Sequence, residues 1–136
     1  MATLEPLTVT ECWDRLRSHR IGRIGFDRGR GNRIHPVQYT VDSDTICVMT
    51  SRDSELGMFS RLFANGALVP FEIDQVDEDQ SEQWSVMVLG RIRAQENEAG
   101  VTDSRDSGSR PPDGHDELLL RLTPVEVTGR RRTDGP

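Results

Sequence analysis

Three hydroxyl side chains follow a β-branched segment near the middle of the chain. They belong to Thr50, Ser51 and Ser54, and an amphipathic stretch over Ser54–Phe63 begins within the same turn. A strand, a polar turn and a helix start, in that order, bring hydroxyl groups and free backbone N–H groups together, which suits a phosphate group. Many such turns bind nothing, so the prediction of a phosphate site depends on the segments on either side.

Two such segments flank the turn. The upstream segment is Pro36-Val37-Gln38-Tyr39, and the downstream segment is Trp84-Ser85-Val86. Gln38 is a polar amide in a predicted half-buried strand, so it needs a hydrogen-bond partner, and a ligand is one candidate. Trp84 starts a cleanly alternating strand, where a place in the core or in a subunit interface is as reasonable as a ligand contact.

Composition limits the class of protein. A chain of 136 residues suits one domain, and no apolar run approaches the roughly 20 residues of a membrane span. The N-terminus lacks a signal-peptide pattern, so a cytoplasmic protein without a membrane partner is expected. A net charge of −6 argues against a nucleic-acid partner. The cysteines and histidines show no metal-ligand spacing, so no metal site is predicted.

The hydrophobic pattern predicts six strands and two short helices. The helices are expected over Val9–Ser18, after a capping box at Thr8, and over Ser54–Phe63. The strands are expected over Ile21–Phe26, Ile34–Val41, Thr45–Thr50, Ala67–Ile73, Gln83–Ala94 and Leu118–Leu122.

These elements predict a mainly β (α+β) protein: a six-stranded antiparallel split β-barrel with short flanking helices. Pro70 donates no backbone hydrogen bond, so we expect a sheet edge or a bulge there. Residues 1–131 form the predicted single domain, with a flexible insertion over 95–117 and a disordered tail over 132–136.

The order of several short motifs resembles the FMN-binding split barrels of the pyridoxamine 5′-phosphate oxidase-like family, and in particular its small actinobacterial-type, nitroimidazole-resistance-like branch. The motifs are Leu7-Thr8 with Glu11-Cys12, Gly22-Arg23-Ile24-Gly25-Phe26, Pro36-Val37-Gln38-Tyr39, Thr50 with Ser54, Phe71-Glu72-Ile73-Asp74, Trp84-Ser85-Val86 with Gly90-Arg91, and Val127-Thr128-Gly129-Arg130-Arg131.

The resemblance implies a homodimer with FMN at the subunit interface and a flavin-dependent oxidoreductase activity on a small organic substrate. Pro36, Val37 and Gln38 would lie beside the isoalloxazine ring. The ribityl chain and phosphate would reach Thr50, Ser51, Arg52 and Ser54. Trp84 and Ser85 would sit near the site, with the partner subunit as one source. No catalytic residue is identified, because the flavin itself would carry the redox chemistry.

One position departs from the family pattern. The family usually places a basic residue directly after the serine of the turn, and this chain has Glu55. A carboxylate there repels a phosphate, and the missing charge-assisted contact is worth roughly 1.5–3 kcal/mol. Arg52 in the turn, or Arg33 or Arg61 from outside it, would have to compensate.

Three alternatives therefore stay open. The first is an F420-dependent reductase, whose long anionic cofactor tail would suit the Arg-rich segment Arg28–Arg33. The second is a non-catalytic barrel that binds flavin or another ligand. The third, ranked last, is a tetrapyrrole binder with His35 and His115 as axial ligands.

Overall fold

The computed structural model of the protein describes residues 2–76, 82–95 and 117–134. These residues form seven strands and two helices in the order β1 (Ala2–Pro6), α1 (Val9–Arg17), β2 (Ile21–Asp27), β3 (Asn32–Asp42), β4 (Thr45–Ser51), α2 (Glu55–Arg61), β5 (Ala67–Gln75), β6 (Glu82–Ala94) and β7 (Glu117–Asp134).

Six of these strands close into an antiparallel barrel. Their order around the barrel is β7-β4-β3-β2-β5-β6, and β6 pairs with β7 to complete the ring. Strand β7 is long enough to pair with three neighbours in turn: its first residues pair with β4, its middle and later residues with β6, and its last residues with β1. The predicted six-stranded barrel with two short helices is confirmed.

The barrel interior is the hydrophobic core. Alternate residues of each strand point inward, and the largest fully buried side chains include Phe71, Ile24, Ile46, Leu120 and Leu122. This alternation is the property that made the strands recognisable in the sequence, because successive side chains of a strand point to opposite faces.

The helices begin where their capping residues predict. The Thr8 hydroxyl accepts a hydrogen bond from the Glu11 N–H at 3.1 Å, and a Glu11 carboxylate oxygen accepts one from the Thr8 N–H at 2.8 Å. Helix α1 ends at Arg17, one residue before the predicted end. Helix α2 is shorter than predicted at both ends, because Ser54 is its N-cap and Leu62 its C-cap.

The chain termini differ from the prediction. Strand β1 was not predicted, and the tail expected over 132–136 is wrong for residues 132–134, which end β7. Pairing between β1 and β7 explains both differences: in register, Ala2 faces Asp134 and Pro6 faces Arg130. Backbone pairing orders this polar segment although few apolar side chains mark it. Residues 135–136, and nearly all of the predicted insertion over 95–117, lie outside the described residues.

Pro70 lies beside the point where β5 leaves β2. The pairing of β2 with β5 covers Arg23 opposite Glu72 and Ile24 opposite Phe71, and stops there. Pro70 therefore sits at a local sheet edge on that side, as its missing N–H requires. Within the described residues, neither helix is long and apolar enough to cross a membrane.

Candidate functional site

A groove of about 430 Å³ opens where β3, β4 and β7 meet. It is lined by His35, Pro36, Val37 and Gln38 from β3, by Met49, Thr50 and Ser51 from β4, and by Glu117 from β7. The antiparallel register creates it, since Gln38 faces Met49 and Ser51 faces Glu117. Five of the ten residues predicted to bind a cofactor meet here: Pro36, Val37, Gln38, Thr50 and Ser51.

The groove has an apolar wall and a polar end. Val37 is buried, whereas Pro36, Gln38 and Met49 are exposed on the outer face of the barrel. The hydroxyls of Thr50 and Ser51 lie at the end of β4. Gln38 is thus more exposed than the sequence pattern predicted, so its amide is open to a ligand rather than satisfied within the sheet.

A second, apolar depression of about 330 Å³ continues the groove along the same face. It shares Gln38 and Met49 with the first and is also lined by Arg20, Ile21, Tyr39, Thr40, Cys47 and Leu119. Ile21, Gln38, Met49 and Leu119 form one cross-strand row over β2, β3, β4 and β7. This outer row presents apolar side chains to solvent, with Ile21 65% and Met49 42% exposed.

The turn after β4 is held by its own hydroxyl groups. The Ser54 hydroxyl donates to the Ser51 carbonyl at 2.7 Å and accepts the Gly57 N–H at 2.9 Å. Because its hydrogen is thereby used, the Thr50 hydroxyl, 2.8 Å away, is the donor in their mutual contact. Ser51 Oγ accepts the Asp53 N–H at 3.2 Å. Ser54 is therefore committed to the fold, and the hydroxyl of Ser51 is the better placed of the two to face a ligand.

Gly57 allows α2 to lie directly against this turn. A Cβ atom at this position would collide with the Ser51 carbonyl oxygen and would lie 3.1 Å from that of Arg52. Arg61, from the same helix, donates to the Arg52 carbonyl at 2.9 Å. The Arg61 guanidinium thus stabilises the backbone of the turn. In the sequence, Arg61 was a candidate for contact with the phosphate.

Glu55 lies within a cluster of basic side chains. Its carboxylate pairs with Arg28 Nη1, lies 3.5 Å from Arg33 Nε and lies 3.3 Å from His35 Nε2. The ring of His35 also makes an edge contact with Phe26, with centroids 5.1 Å apart. The charge that the sequence identified as repulsive is therefore offset by two guanidinium groups. One of them belongs to Arg33, which the sequence offered as one of three compensating arginines.

Trp84 and Ser85 do not line the groove of this chain. They lie on β6, across the barrel from β3 and β4. Trp84 is 7% exposed, the Arg15 guanidinium lies 5.0 Å from the centroid of its ring, and the ring of His19 lies at the same distance. Trp84 is a core residue covered by α1, which is the structural alternative that its place in the strand left open.

An ion-pair cluster lies on the outer face next to Pro36. Arg23, which faces Pro36 across β2 and β3, donates from Nη1 to both Glu72 and Asp74 at 3.0 Å. Burial, assisted by Asp74, raises the pKa of Glu72 above its usual range. The two carboxylates are thus paired through one guanidinium.

Three groove residues are not among the ten predicted to bind a cofactor: His35, Met49 and Glu117. The sequence offered His35 as an axial ligand of a tetrapyrrole, the alternative ranked last. Met49 could have been found from its outward position two residues before Ser51, whereas Glu117 required knowledge that β7 pairs with β4. Among the described residues, no group of three or more acidic, histidine or cysteine side chains is placed to hold a metal ion. His115 lies outside them.

The chain is similar to known proteins in both sequence and structure. The sequence profile of the family described as pyridoxamine 5′-phosphate oxidase matches residues 8–131. A solved FAD-binding protein from Mycobacterium smegmatis is 28% identical to this chain, with a TM-score of 0.71. The alignment covers 96% of this chain and 98% of that protein's chain. A candidate pyridoxamine 5′-phosphate oxidase from Corynebacterium glutamicum is 26% identical, with a TM-score of 0.70, over 98% of this chain and 96% of its own.

A further solved structure shares the fold at lower identity. This FAD-binding protein from Mesorhizobium loti is 18% identical, with a TM-score of 0.74, and covers 98% of this chain and 100% of its own. No curated protein matches the chain significantly.

Proposed function

The chain belongs to the pyridoxamine 5′-phosphate oxidase family, and from this premise we propose that it is a flavin-dependent oxidoreductase that acts on a small organic substrate. The observation that carries the proposal is the groove between β3 and β4. It joins an apolar wall to a pair of hydroxyl groups, which are the two surfaces that the ring and the phosphorylated tail of a flavin require.

The groove residues suit the parts of such a cofactor. The flat ring would lie against Pro36, Val37 and Met49, and the exposed Gln38 amide would hydrogen-bond to its polar edge. The phosphate would approach the Thr50–Ser54 turn through the Ser51 hydroxyl. A volume of about 430 Å³ is within the range of cofactor sites. A bound flavin supplies hydride or electron transfer, and the protein contributes binding, orientation and exclusion of water.

A second copy of the chain would complete the site. The outer row of Ile21, Gln38, Met49 and Leu119 leaves apolar side chains exposed beside the groove, and one subunit alone leaves the groove open. A homodimer that pairs these faces would bury the row and enclose the ring. Sedimentation equilibrium tests this: Ile21→Arg should shift a dimer to monomer, whereas Leu68→Arg, which adds the same charge elsewhere on the barrel, should not.

Flavin binding is tested by placing a charge at the phosphate position. Ser51→Asp keeps an acceptor for the Asp53 N–H but adds a carboxylate beside the phosphate. We expect the affinity of the apo-protein for phosphorylated flavins, measured by flavin fluorescence, to fall at least about tenfold. Riboflavin, which lacks the phosphate, should lose much less.

The matched control is Ser43→Asp. Ser43 lies in the turn between β3 and β4 with a φ of 56°, a conformation that Asp tolerates. This variant should bind flavins as the native chain does. Equal losses in both variants, or no flavin binding by the native chain, would contradict the site. Reduction of the bound flavin followed by reoxidation with candidate substrates then separates an enzyme from a protein that only carries flavin.

A further inference from the structure

We propose that Glu55 is a specificity-determining residue that disfavours a flavin-type cofactor ending in a phosphate monoester relative to one whose phosphate is a diester. The proposal rests on the proposed function, which places a ribityl phosphate at the Thr50–Ser54 turn. It adds the chemical class of the cofactor.

The first step is the position of Glu55. It directly follows Ser54, the residue that caps α2, and its carboxylate lies 3.3 Å from His35, which lines the groove. The side chain of Glu55 is about one-third exposed. A phosphate at the turn would therefore meet the field of this carboxylate, partly screened by solvent.

The second step is the charge of the cluster. Arg28 and Arg33 carry two positive charges and Glu55 carries one negative charge, so the three groups together have a net charge of +1. The imidazole of His35 adds a charge only in its protonated form.

The neighbouring charges do not alter this balance. Arg52 and Arg61 add two positive charges at the turn and its helix, while Asp53 in the turn and Glu117 in the groove add two negative charges. The net charge around the phosphate position therefore stays at +1.

The third step compares this charge with the two classes of phosphate. A phosphate monoester such as FMN carries about −1.5 to −2 at neutral pH, whereas a phosphodiester carries about −1 because its remaining ionisation is blocked by the ester. The net charge of +1 attracts both classes, but the carboxylate of Glu55 repels a monoester about twice as strongly as a diester, because Coulomb energy is proportional to charge. Near a surface with an effective dielectric constant of about 20 or above, this extra repulsion corresponds to roughly tenfold in affinity.

In two natural cofactors the ribityl phosphate is not a monoester. In F420 it is a diester with the anionic tail, and in FAD it is part of a diphosphate. The ribityl phosphate itself carries about −1 in each, but the FAD diphosphate carries about −2 in total, so F420 is the better match to the diester class. Binding of the two to the same apo-protein distinguishes which source the native chain uses.

The test uses a pair of ligands that differ only in the phosphate. Riboflavin, FMN and the monomethyl phosphate ester of FMN are titrated into native apo-protein at pH 8, where a monoester is a dianion. In Glu55→Gln this repulsion is removed, so the affinity for FMN should rise about tenfold more than the affinity for the methyl ester. Glu5→Gln, which removes the same charge at β1, should leave the ratio of the two affinities as it is in the native chain.

The outcomes separate this inference from the proposed function. If the flavins bind but Glu55→Gln leaves the ratio of the FMN and ester affinities unchanged, the role of Glu55 is wrong and the flavin site stands. If neither riboflavin nor any phosphorylated flavin binds, both proposals are wrong. Glu55→Ala removes the same charge and provides a second test if Glu55→Gln does not fold.

Discussion

The Nε2 atom of His35 lies 3.3 Å from a carboxylate oxygen of Glu55. This contact links two features of the site. Along β3, Pro36 and Gln38 line the groove, and His35 lines it as well while contacting Glu55 at the start of α2. His35 therefore joins the groove to the charged cluster of Glu55, Arg28 and Arg33.

Replacing Ser54 with Ala is expected to destabilise the turn beside the groove. The substitution removes the hydroxyl that accepts the Gly57 N–H and donates to the Ser51 carbonyl. The free energy of unfolding, measured by chemical denaturation, should fall by about 1 kcal/mol. Ser54→Thr keeps a capping hydroxyl and should lose less than half of that. Equal stability of the native chain and Ser54→Ala would show that the cap is dispensable.

Replacing Gly57 with Ala should separate α2 from the turn. Helix propensity alone favours Ala over Gly by about 0.8–1 kcal/mol. The new Cβ, however, would collide with the backbone carbonyl of Ser51, and backbone cannot yield as a flexible side chain can. We therefore expect a net loss of about 1–3 kcal/mol in the free energy of unfolding.

The control for Gly57→Ala is the next residue of the same helix. Met58 is exposed, so Met58→Ala should change stability by less than about 0.5 kcal/mol. A stabilised Gly57→Ala protein would mean that α2 does not lie against the turn as described.

Tyr39 should ionise only at strongly alkaline pH. Its side chain is buried, its hydroxyl donates to the Leu16 carbonyl at 2.7 Å, and burial raises its pKa to about 12. Tyr39 is the only tyrosine of the chain, so the ultraviolet absorbance of the phenolate reports this group alone. We expect a midpoint near 12 in the folded protein and near 10 in denaturant.

The same shift in pKa predicts how stability depends on pH. Above about pH 10 the unfolded chain loses the phenolic proton while the folded chain retains it. The contribution of Tyr39 to stability is therefore complete below about pH 10 and declines as pH rises towards 12. Tyr39→Phe should lack this decline. A folded-state midpoint near 10 would contradict the buried position of the ring.

The sequence predicted the elements whose signals are local. Helix α1 was found because Thr8 and Glu11 form a capping box, and the central strands were found because their residues alternate. Strand β1 could not be found in this way, because Leu4 is its only large apolar residue and its partner segment at Arg130–Asp134 lies at the other end of the chain. Its order comes from backbone pairing across the sheet.

The same distinction between local signals and contacts of distant segments applies to the site. The structure brings Pro36-Val37-Gln38 and Thr50-Ser51 together, because these segments belong to the adjacent strands β3 and β4. The environment of Glu55 was not predictable, since Arg28 and Arg33 come from a hairpin whose position relative to α2 depends on closure of the barrel. Side-chain pairs between distant segments require the fold itself.

Replacing Ser60 with Ala should leave the protein as stable as before or more stable. Ser60 is 2% exposed, and its hydroxyl has no hydrogen-bond partner among the described residues. Its removal ends the cost of burying an unsatisfied polar group, and Ala is the better helix former. We expect the free energy of unfolding to rise by up to about 1 kcal/mol.

The control for Ser60→Ala is the same change at the end of α1. The Ser18 hydroxyl donates to the carbonyls of Asp14 and Arg15 at 2.9 and 3.2 Å, so Ser18→Ala should lower stability. Thermal and chemical denaturation of both variants provide the measurement. A loss of more than about 1 kcal/mol in Ser60→Ala would reveal that this hydroxyl has a partner in solution, because an unpaired buried hydroxyl has no favourable contact to lose.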